Sequence, residues 1–291
     1  MLLVIKGTST FWDPESLRKT DRALGDMLLS VFHTLKNERY IENQQRREQG
    51  LPELEIIRIE GLINSYVNAL SNEIHSLAII IDTINFITQH KKDEELKQKH
   101  DLFIANLVEN YYRNLRSIFD FISVIYRVVL EDKFVNNVPS GDSFNETLKF
   151  IKKGKAEGII PRKIIDLFLV YEDVFLNVKK VRDYIVHKGK ELTIYSDKDE
   201  YYFTLKIGQY PGECVLDNIL NIEKDIFPLL PYLSKLTNQT LEFLSDLGVA
   251  IFEELSLKRD NSFSINLSAL EGVCIPGFIR FLALTNEDIV G

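Results

Sequence analysis

Cysteine is scarce in this chain, and long hydrophobic runs are absent. Only two cysteines, Cys214 and Cys274, occur among 291 residues. Their spacing matches neither a disulfide framework nor a zinc site. We therefore expect two reduced thiols, no metal and no cofactor. The longest apolar run, residues 77–81, ends at Asp82. It is far shorter than the roughly 20 apolar residues that a membrane-spanning helix needs, so no membrane partner is expected.

The first residues show no secretory signature, and the charge balance is acidic. Residues 1–6 have neither a basic lead nor a long apolar core, so no signal peptide is expected. The net charge of −8 argues against a surface that coats nucleic acid, although a local basic site remains compatible with it. Together these features predict a soluble, cytoplasmic protein.

Two long segments carry apolar residues in steps of three and four, the period of an amphipathic helix. Pro52 opens the first segment, and a charged link at residues 90–95 separates it from the second. A short link favours antiparallel packing of the two helices. The first stripe consists of Ile59, Ile63, Tyr66, Leu70, Ile74, Leu77, Ile81 and Ile84, and the second of Phe103, Leu107, Tyr111, Leu115, Ile118, Ile122, Ile125 and Val129.

Three further helical segments and one hairpin follow along the chain. Ser143 is expected to cap a short helix, with Glu146 completing a capping box. One continuous helix is expected between Pro161 and Gly189. Its inner stripe is Ile164, Phe168, Tyr171, Phe175, Val178, Val181 and Ile185.

Residues 192–195 and 201–207 are β-prone and predict a hairpin with a charged turn at 197–199. A leucine-rich helix over about 216–247 is expected to kink or restart at Pro228 and Pro231 and to end at Gly248.

These patterns predict a mainly α-helical fold, an antiparallel helical bundle with an appended β-hairpin. The expected organisation is a partly helical segment over residues 1–50, then the bundle over 51–248 with the hairpin at about 191–208. A tail over 249–291 receives no structural assignment.

The sequence Arg182-Asp183-Tyr184-Ile185-Val186-His187 carries the most chemistry in the chain. Arg offers a permanently charged planar fork for phosphate, and His exchanges protons near neutral pH. Five helical residues advance 500°, so Arg182 and His187 lie about 140° apart and do not share a face. Three outcomes are open: the helix unwinds at Gly189, two copies of the helix meet so that the pairs converge, or the pairing is accidental.

The surroundings of the pair add charge. Asp183 lies one helical turn before His187 and is a suitable orienting partner, and the negative helix end favours a protonated His187. Between residues 149 and 190, eleven Lys and Arg residues face five Asp and Glu. The lysines nearest the pair are Lys179, Lys180, Lys188 and Lys190, which are candidates for binding phosphates. The alternative is a solvated face near a helix end, where cations are stabilised in any case.

An Arg and a His separated by four residues, with a polar residue after the Arg, at the end of a helix in an all-helical bundle, resemble the motif of the HEPN superfamily (higher eukaryotes and prokaryotes nucleotide-binding domains). The resemblance covers roughly residues 52–189; the hairpin and the tail depart from the minimal domain. It implies a homodimer in which two motif helices form one cleft, and metal-independent RNA cleavage to 2′,3′-cyclic phosphate and 5′-hydroxyl ends.

The resemblance also implies roles for individual residues. His187 would act as general acid or base, Arg182 would bind the scissile phosphate, and Asp183 would orient His187 or shape the turn. Such proteins often act as toxins or in antiviral defence, with a neutralising partner protein. The alternative is a non-catalytic HEPN-like dimer that binds a nucleotide or a partner protein.

Two other groups of side chains have competing explanations. Arg113 or Asn114 could line the cleft if their helix faces the motif helix, but a solvated face explains them as well. Tyr201, Tyr202 and Phe203 could stack on bases, and packing of the hairpin explains them more simply.

Overall fold

The computed structural model describes residues 3–6, 9–12, 26–52, 57–89, 97–188, 192–197, 200–204, 226–257, 278, 281–282 and 284. The described part is mainly helical and carries a small sheet that includes a hairpin, so the fold class predicted from the sequence is confirmed. Its α-helices are α1 (Asp26–Glu48), α2 (Ile57–Leu62), α3 (Asn68–Gln89), α4 (Lys97–Ile125), α5 (Phe144–Lys152), α6 (Arg162–Val170), α7 (Glu172–Lys188) and α8 (Leu229–Glu254). None of the helices in these ranges is both long enough and apolar enough to cross a membrane.

Shorter helical turns join some of these helices. A π-helical segment, Ile63–Val67, connects α2 to α3, and two 3₁₀ turns, Tyr126–Val129 and Asp132–Asn137, follow α4. The first predicted stripe is therefore carried by three consecutive helical segments. All its members are buried except Tyr66, which is half-buried.

The strands form two antiparallel sheets. β1 (Leu3–Lys6) pairs with β2 (Ser9–Trp12), a hairpin that the sequence analysis missed. β3 (Thr193–Asp197) pairs with β4 (Glu200–Thr204), which confirms the predicted hairpin. β5 (Ile226–Pro228) then adds to β4 as a third strand. The turn residues 198–199 and residues 205–207 lie outside the described part of the chain.

The chain divides into two compact units, each built from separate stretches of sequence. The first consists of Met1–Asn72, Phe119–Val170 and Leu241–Glu271, and the second of Glu73–Ile118, Tyr171–Thr240 and Gly272–Gly291. Helices α3, α4 and α8 each contribute residues to both units.

An aromatic cluster forms the core of the first unit. Phe144 stacks on Phe168 with a centroid separation of 4.7 Å. Phe119, Tyr126 and Phe243 each meet one or both of these rings edge-on, and Phe119 and Phe243 meet each other in a tilted arrangement. All five side chains are fully buried. Each buried aromatic ring removes a large apolar area from water, and edge-to-face pairs add a further gain. This cluster ties α5, α6 and α8 to α4 within the first unit.

The predicted capping box on α5 is wrong. Ser143 makes no side-chain capping bond, and Glu146 instead pairs with Lys149 at 2.8 Å. The amide N–H of Phe144 donates to Oδ1 of Asp120 at 3.1 Å. A carboxylate from α4 therefore satisfies a helix-end N–H that local sequence was expected to satisfy.

The single helix predicted between Pro161 and Gly189 is divided at Tyr171. Helix α6 belongs to the first unit, whereas Tyr171 and α7 belong to the second. The whole predicted stripe is nevertheless buried, from Ile164 to Ile185. The two helices bury their apolar faces in different cores, which is a physical reason for the division.

Helix α8 continues past Gly248, so the predicted helix end is wrong. The helix ends at Glu254, followed by Ser256 in the left-handed region at φ 52°. Leu257 N–H donates to the Phe252 carbonyl, and Ser256 N–H donates to the Glu253 carbonyl. This is a Schellman ending, which usually uses glycine at the left-handed position. Ile226–Pro228 forms the strand β5, so the predicted helix over about 216–247 is wrong at these residues. Helix α8 begins at Leu229, which agrees with the expected new start near Pro228 and Pro231; residues 216–225 are outside the described part.

One member of the second predicted stripe is on the wrong face. Phe103 is 59% exposed, although Tyr111, Leu115, Ile118, Ile122 and Ile125 are fully buried. The next residue, Ile104, is fully buried, so α4 is covered near its beginning on a face that does not include Phe103.

Candidate functional site on helix α7

Helix α7 carries the motif, and it begins with acidic residues that the helix dipole stabilises. Glu172 and Asp173 occupy the first turn, where negative charge is stabilised. The helix runs to Lys188, so residues 182–187 all have helical backbone. The expected alternative in which the helix unwinds and brings His187 round to Arg182 is therefore not observed. Arg182 and His187 therefore lie about 140° apart around the helix axis.

Arg182 and Asp183 form an ion pair with each other. Nη1 of Arg182 donates to Oδ1 of Asp183 at 3.1 Å, and the two side chains are 32% and 38% exposed. Both groups therefore reach solvent near the last turns of α7. Asp183 was expected to orient His187. The side chain of His187 lies outside the described residues, so that role stays a prediction.

The predicted basic patch is divided between the two units. Residues 149–170 belong to the first unit and residues 171–188 to the second. Within 171–190 there are five basic and three acidic residues. Lys179 and Lys180 are half-buried on α7, and the side chain of Lys188 and the whole of Lys190 are outside the described part.

A buried hydrogen bond that the sequence gave no reason to expect holds α7 against α8. Nδ2 of Asn177 donates to the hydroxyl of Tyr232 at 2.7 Å. Asn177 is 3% exposed, and Tyr232 is fully buried. A directional bond between two buried polar groups fixes the rotation of α7 about its axis more strictly than apolar contact alone. This bond thereby helps to determine which face of α7 is exposed to solvent and whether Arg182 lies on that face.

Arg116 of α4 contacts the motif helix. Its guanidinium lies 4.8 Å from the ring centroid of Phe175, a distance typical of cation–π contact. Arg113 and Asn114, the residues considered from the sequence, are oriented elsewhere. Arg113 donates to Asn110 on its own helix, and the amide nitrogen of Asn114 donates to Glu73 of α3 at 3.2 Å.

Phe175 and Arg182 are seven residues apart and share a face of α7, about 10 Å apart along the axis. Arg116 is therefore a second guanidinium beside the face that carries Arg182. The sequence alone gave little reason to choose Arg116 over Arg113. Both arginines lie on the same helix, and only the packing shows which one contacts α7.

Two aromatic residues of the hairpin, Tyr201 and Phe203, are buried, whereas Tyr202 is half-buried and Tyr195 is exposed. Phe203 is fully buried and meets Tyr232 edge-on with a centroid separation of 5.0 Å, and Tyr201 is 5% exposed. Burial, with the charge of Asp101 nearby, raises the pKa of Tyr201. Packing of the hairpin, rather than stacking on bases, explains these two rings.

The donor chemistry of the described residues includes no group of three or more His, Cys, Asp or Glu side chains that could hold a metal ion. No protein-family model, curated protein or solved structure matches the chain. A functional conclusion therefore depends on the residues of the chain itself.

Proposed function

We propose that the protein is a metal-independent endoribonuclease of the HEPN type that works as a homodimer, with a toxin or defence role. The observation that carries this proposal is the placement of Arg182. Its side chain is about one-third exposed and lies near the C-terminal end of a helix that remains helical through His187. A phosphate could approach it from solvent, and a proton-transfer group follows five residues later.

The dimer is part of the proposal for a geometric reason. Within one protomer, Arg182 and His187 diverge by about 140° around the axis of α7. A second copy of α7 packed against the first would place the His187 of one helix beside the Arg182 of the other. The composite cleft would then contain two guanidiniums and two imidazoles.

The chemistry of the proposed cleft is a transesterification. One imidazole accepts the proton of the ribose 2′-hydroxyl as the 2′-oxygen attacks phosphorus. The bond between phosphorus and the 5′-oxygen breaks, and a second protonated group supplies the proton to that leaving oxygen. Arg182 donates hydrogen bonds to the non-bridging oxygens, where negative charge grows in the transition state. The products are a 2′,3′-cyclic phosphate and a 5′-hydroxyl. Lys179, Lys180, Lys188 and Lys190 would bind flanking phosphates.

One observation favours the alternative, a non-catalytic dimer that binds a nucleotide or partner protein. The Arg182 guanidinium already has a carboxylate partner in Asp183. A phosphate must compete with that carboxylate. Because the pair is partly exposed, its stability in water is modest, and a phosphate with two bonding oxygens can displace it.

The test is cleavage of a mixed-sequence RNA with a 5′ fluorophore, in the presence of a chelator. Wild-type protein is expected to produce fragments whose ends, by mass spectrometry, are 2′,3′-cyclic phosphate and 5′-hydroxyl. Arg182→Ala and His187→Ala are expected to lower the cleavage rate by at least a hundredfold, as is usual when a charge-stabilising or proton-transfer group is removed.

The chain supplies matched controls. Arg162 is an exposed arginine that is also paired with an aspartate, Asp166, at 2.9 Å, and His75 is half-buried on α3. Arg162→Ala and His75→Ala should cleave at the wild-type rate. Wild-type protein that cleaves no RNA would reject the enzyme and leave the binding module. Cleavage that persists in both motif variants would reject the assigned residues.

A further inference from the structure

A groove with apolar walls opens in the first unit. Its volume is about 620 Å³, and it lies beside the two 3₁₀ turns that follow α4 and the turn that precedes α6. Its walls are made mainly by Val129, Phe134, Ile159, Ile160 and Ile165. Cavities of this size commonly hold small ligands.

Charged groups at the groove are mostly acidic, and two of them have no partner. The groove is lined by Glu131, Glu157 and Glu254 and by one cation, Arg162. Glu131 is paired with Lys133 at 2.6 Å, and Arg162 with Asp166 at 2.9 Å. Among the residues that the structure describes, Glu157 and Glu254 form no ion pair and no side-chain hydrogen bond.

The turn that presents Glu157 is fixed by its backbone. Gly158 has φ +74°, a conformation that L side chains rarely adopt. The N–H groups of Ile159 and Ile160 both donate to the Ala156 carbonyl, at 3.0 and 2.9 Å. The carboxylate and the neighbouring isoleucines are therefore presented by one rigid turn, and this lowers the entropy cost of binding a ligand there.

We propose that this groove binds a linear aliphatic polyamine. The methylene chain would lie along the branched aliphatic walls, and its ammonium groups would pair with Glu157 and Glu254. A compact metal dication would gain nothing from the apolar walls, because such ions select oxygen ligands alone. A quaternary ammonium ligand, which needs a cage of several aromatic rings, does not fit, because Phe134 is the one aromatic side chain among the described residues of the lining. A groove of about 620 Å³ can hold a small ligand, whereas a stable protein interface needs an extended surface of roughly 800 Å² on each partner.

The experiment is isothermal titration calorimetry of the intact chain with spermine at physiological salt. Wild-type protein is expected to bind one spermine per chain, with putrescine weaker because it offers fewer ammonium groups and a shorter chain. The double variant Glu157→Gln/Glu254→Gln should weaken spermine binding by at least tenfold. Ile159→Thr should weaken it severalfold while leaving the charges in place.

A second double variant, Glu48→Gln/Glu146→Gln, removes the same two charges from the first unit at positions that do not line the groove. It should bind spermine within about twofold of wild type. Equal weakening in both double variants, or equal competition by Mg²⁺ at matched charge, would mean counterion attraction only and would overturn the proposal. Circular dichroism of each variant checks that the fold is retained. The groove residues and the α7 motif belong to different units, so this result is independent of the nuclease assay.

Discussion

The hydrogen bond between Asn177 and Tyr232 can be tested by a double-mutant cycle. The two side chains are buried, and Nδ2 of Asn177 donates to the Tyr232 hydroxyl at 2.7 Å. Among the described residues, Oδ1 of Asn177 has no hydrogen-bond partner. Tyr232→Phe keeps the ring but removes the acceptor, so the whole amide of Asn177 is left buried without its bond.

The expected loss of stability depends on whether one partner or both partners of the hydrogen bond are removed. Leaving a buried polar group unsatisfied costs about 1–3 kcal/mol, whereas replacing both partners by apolar groups of similar shape is nearly neutral. We therefore expect Tyr232→Phe to lower the free energy of unfolding by about 1–3 kcal/mol and Asn177→Leu to lower it by a similar amount. The double variant Asn177→Leu/Tyr232→Phe should be more stable than either single variant.

The assay is urea unfolding followed by far-ultraviolet circular dichroism, with the midpoint and slope compared across the four proteins. Tyr40→Phe is a control, because Tyr40 is 48% exposed and surface changes usually stay within about 0.5 kcal/mol. If the two single effects add within about 0.5 kcal/mol, the side chains are not coupled. The reasoning about how α7 is fixed would then be refuted.

Two further predictions concern the first unit. Asp120→Ala removes the acceptor of the Phe144 N–H and should lower the free energy of unfolding by about 0.5–2 kcal/mol, the usual loss for a helix cap; Asp166→Ala should cost less, and an equal loss would contradict the capping role. Burial raises the pKa of Tyr126 to about 12, so the folded chain keeps a proton that the unfolded chain releases near its ordinary pKa of about 10. Stability should therefore fall as the pH rises from about 10 to 12, and Tyr126→Phe should flatten that fall in urea unfolding measured across this pH range; an unchanged slope would refute the assignment.

Periodicity predicted the helical faces well because it depends on a local property. A helix must bury one stripe, and the spacing of apolar residues shows which one. The stripe from Ile164 to Ile185 is buried throughout. The same pattern could not reveal that the helix divides at Tyr171, since the division depends on which core each half enters. Phe103 was assigned to the buried face by its spacing, but packing buries Ile104 at that end of α4 instead.

Helix ends did not fall where the local signals of the sequence predicted. The end at Gly248 was expected because glycine tolerates the left-handed conformation, but Ser256 adopts it instead. The cap at Ser143 was expected from a local motif, but Asp120 satisfies the Phe144 N–H. At Phe144 a side chain from α4 replaced the expected local cap, whereas at Ser256 two local backbone hydrogen bonds close the helix end.

The sequence by itself determined the mainly helical fold, the hairpin, the buried stripes and the position of Arg182 and His187 near the end of one helix. These features follow from helical and strand periods and from the residues that begin and end each element. Only the tertiary structure decided that Arg182 pairs with Asp183, that Arg116 lies on Phe175, and that Asn177 bonds to Tyr232. Such pairings join residues on different helices or select one rotamer among several, so they depend on how the elements pack and not on the order of residues along any one of them.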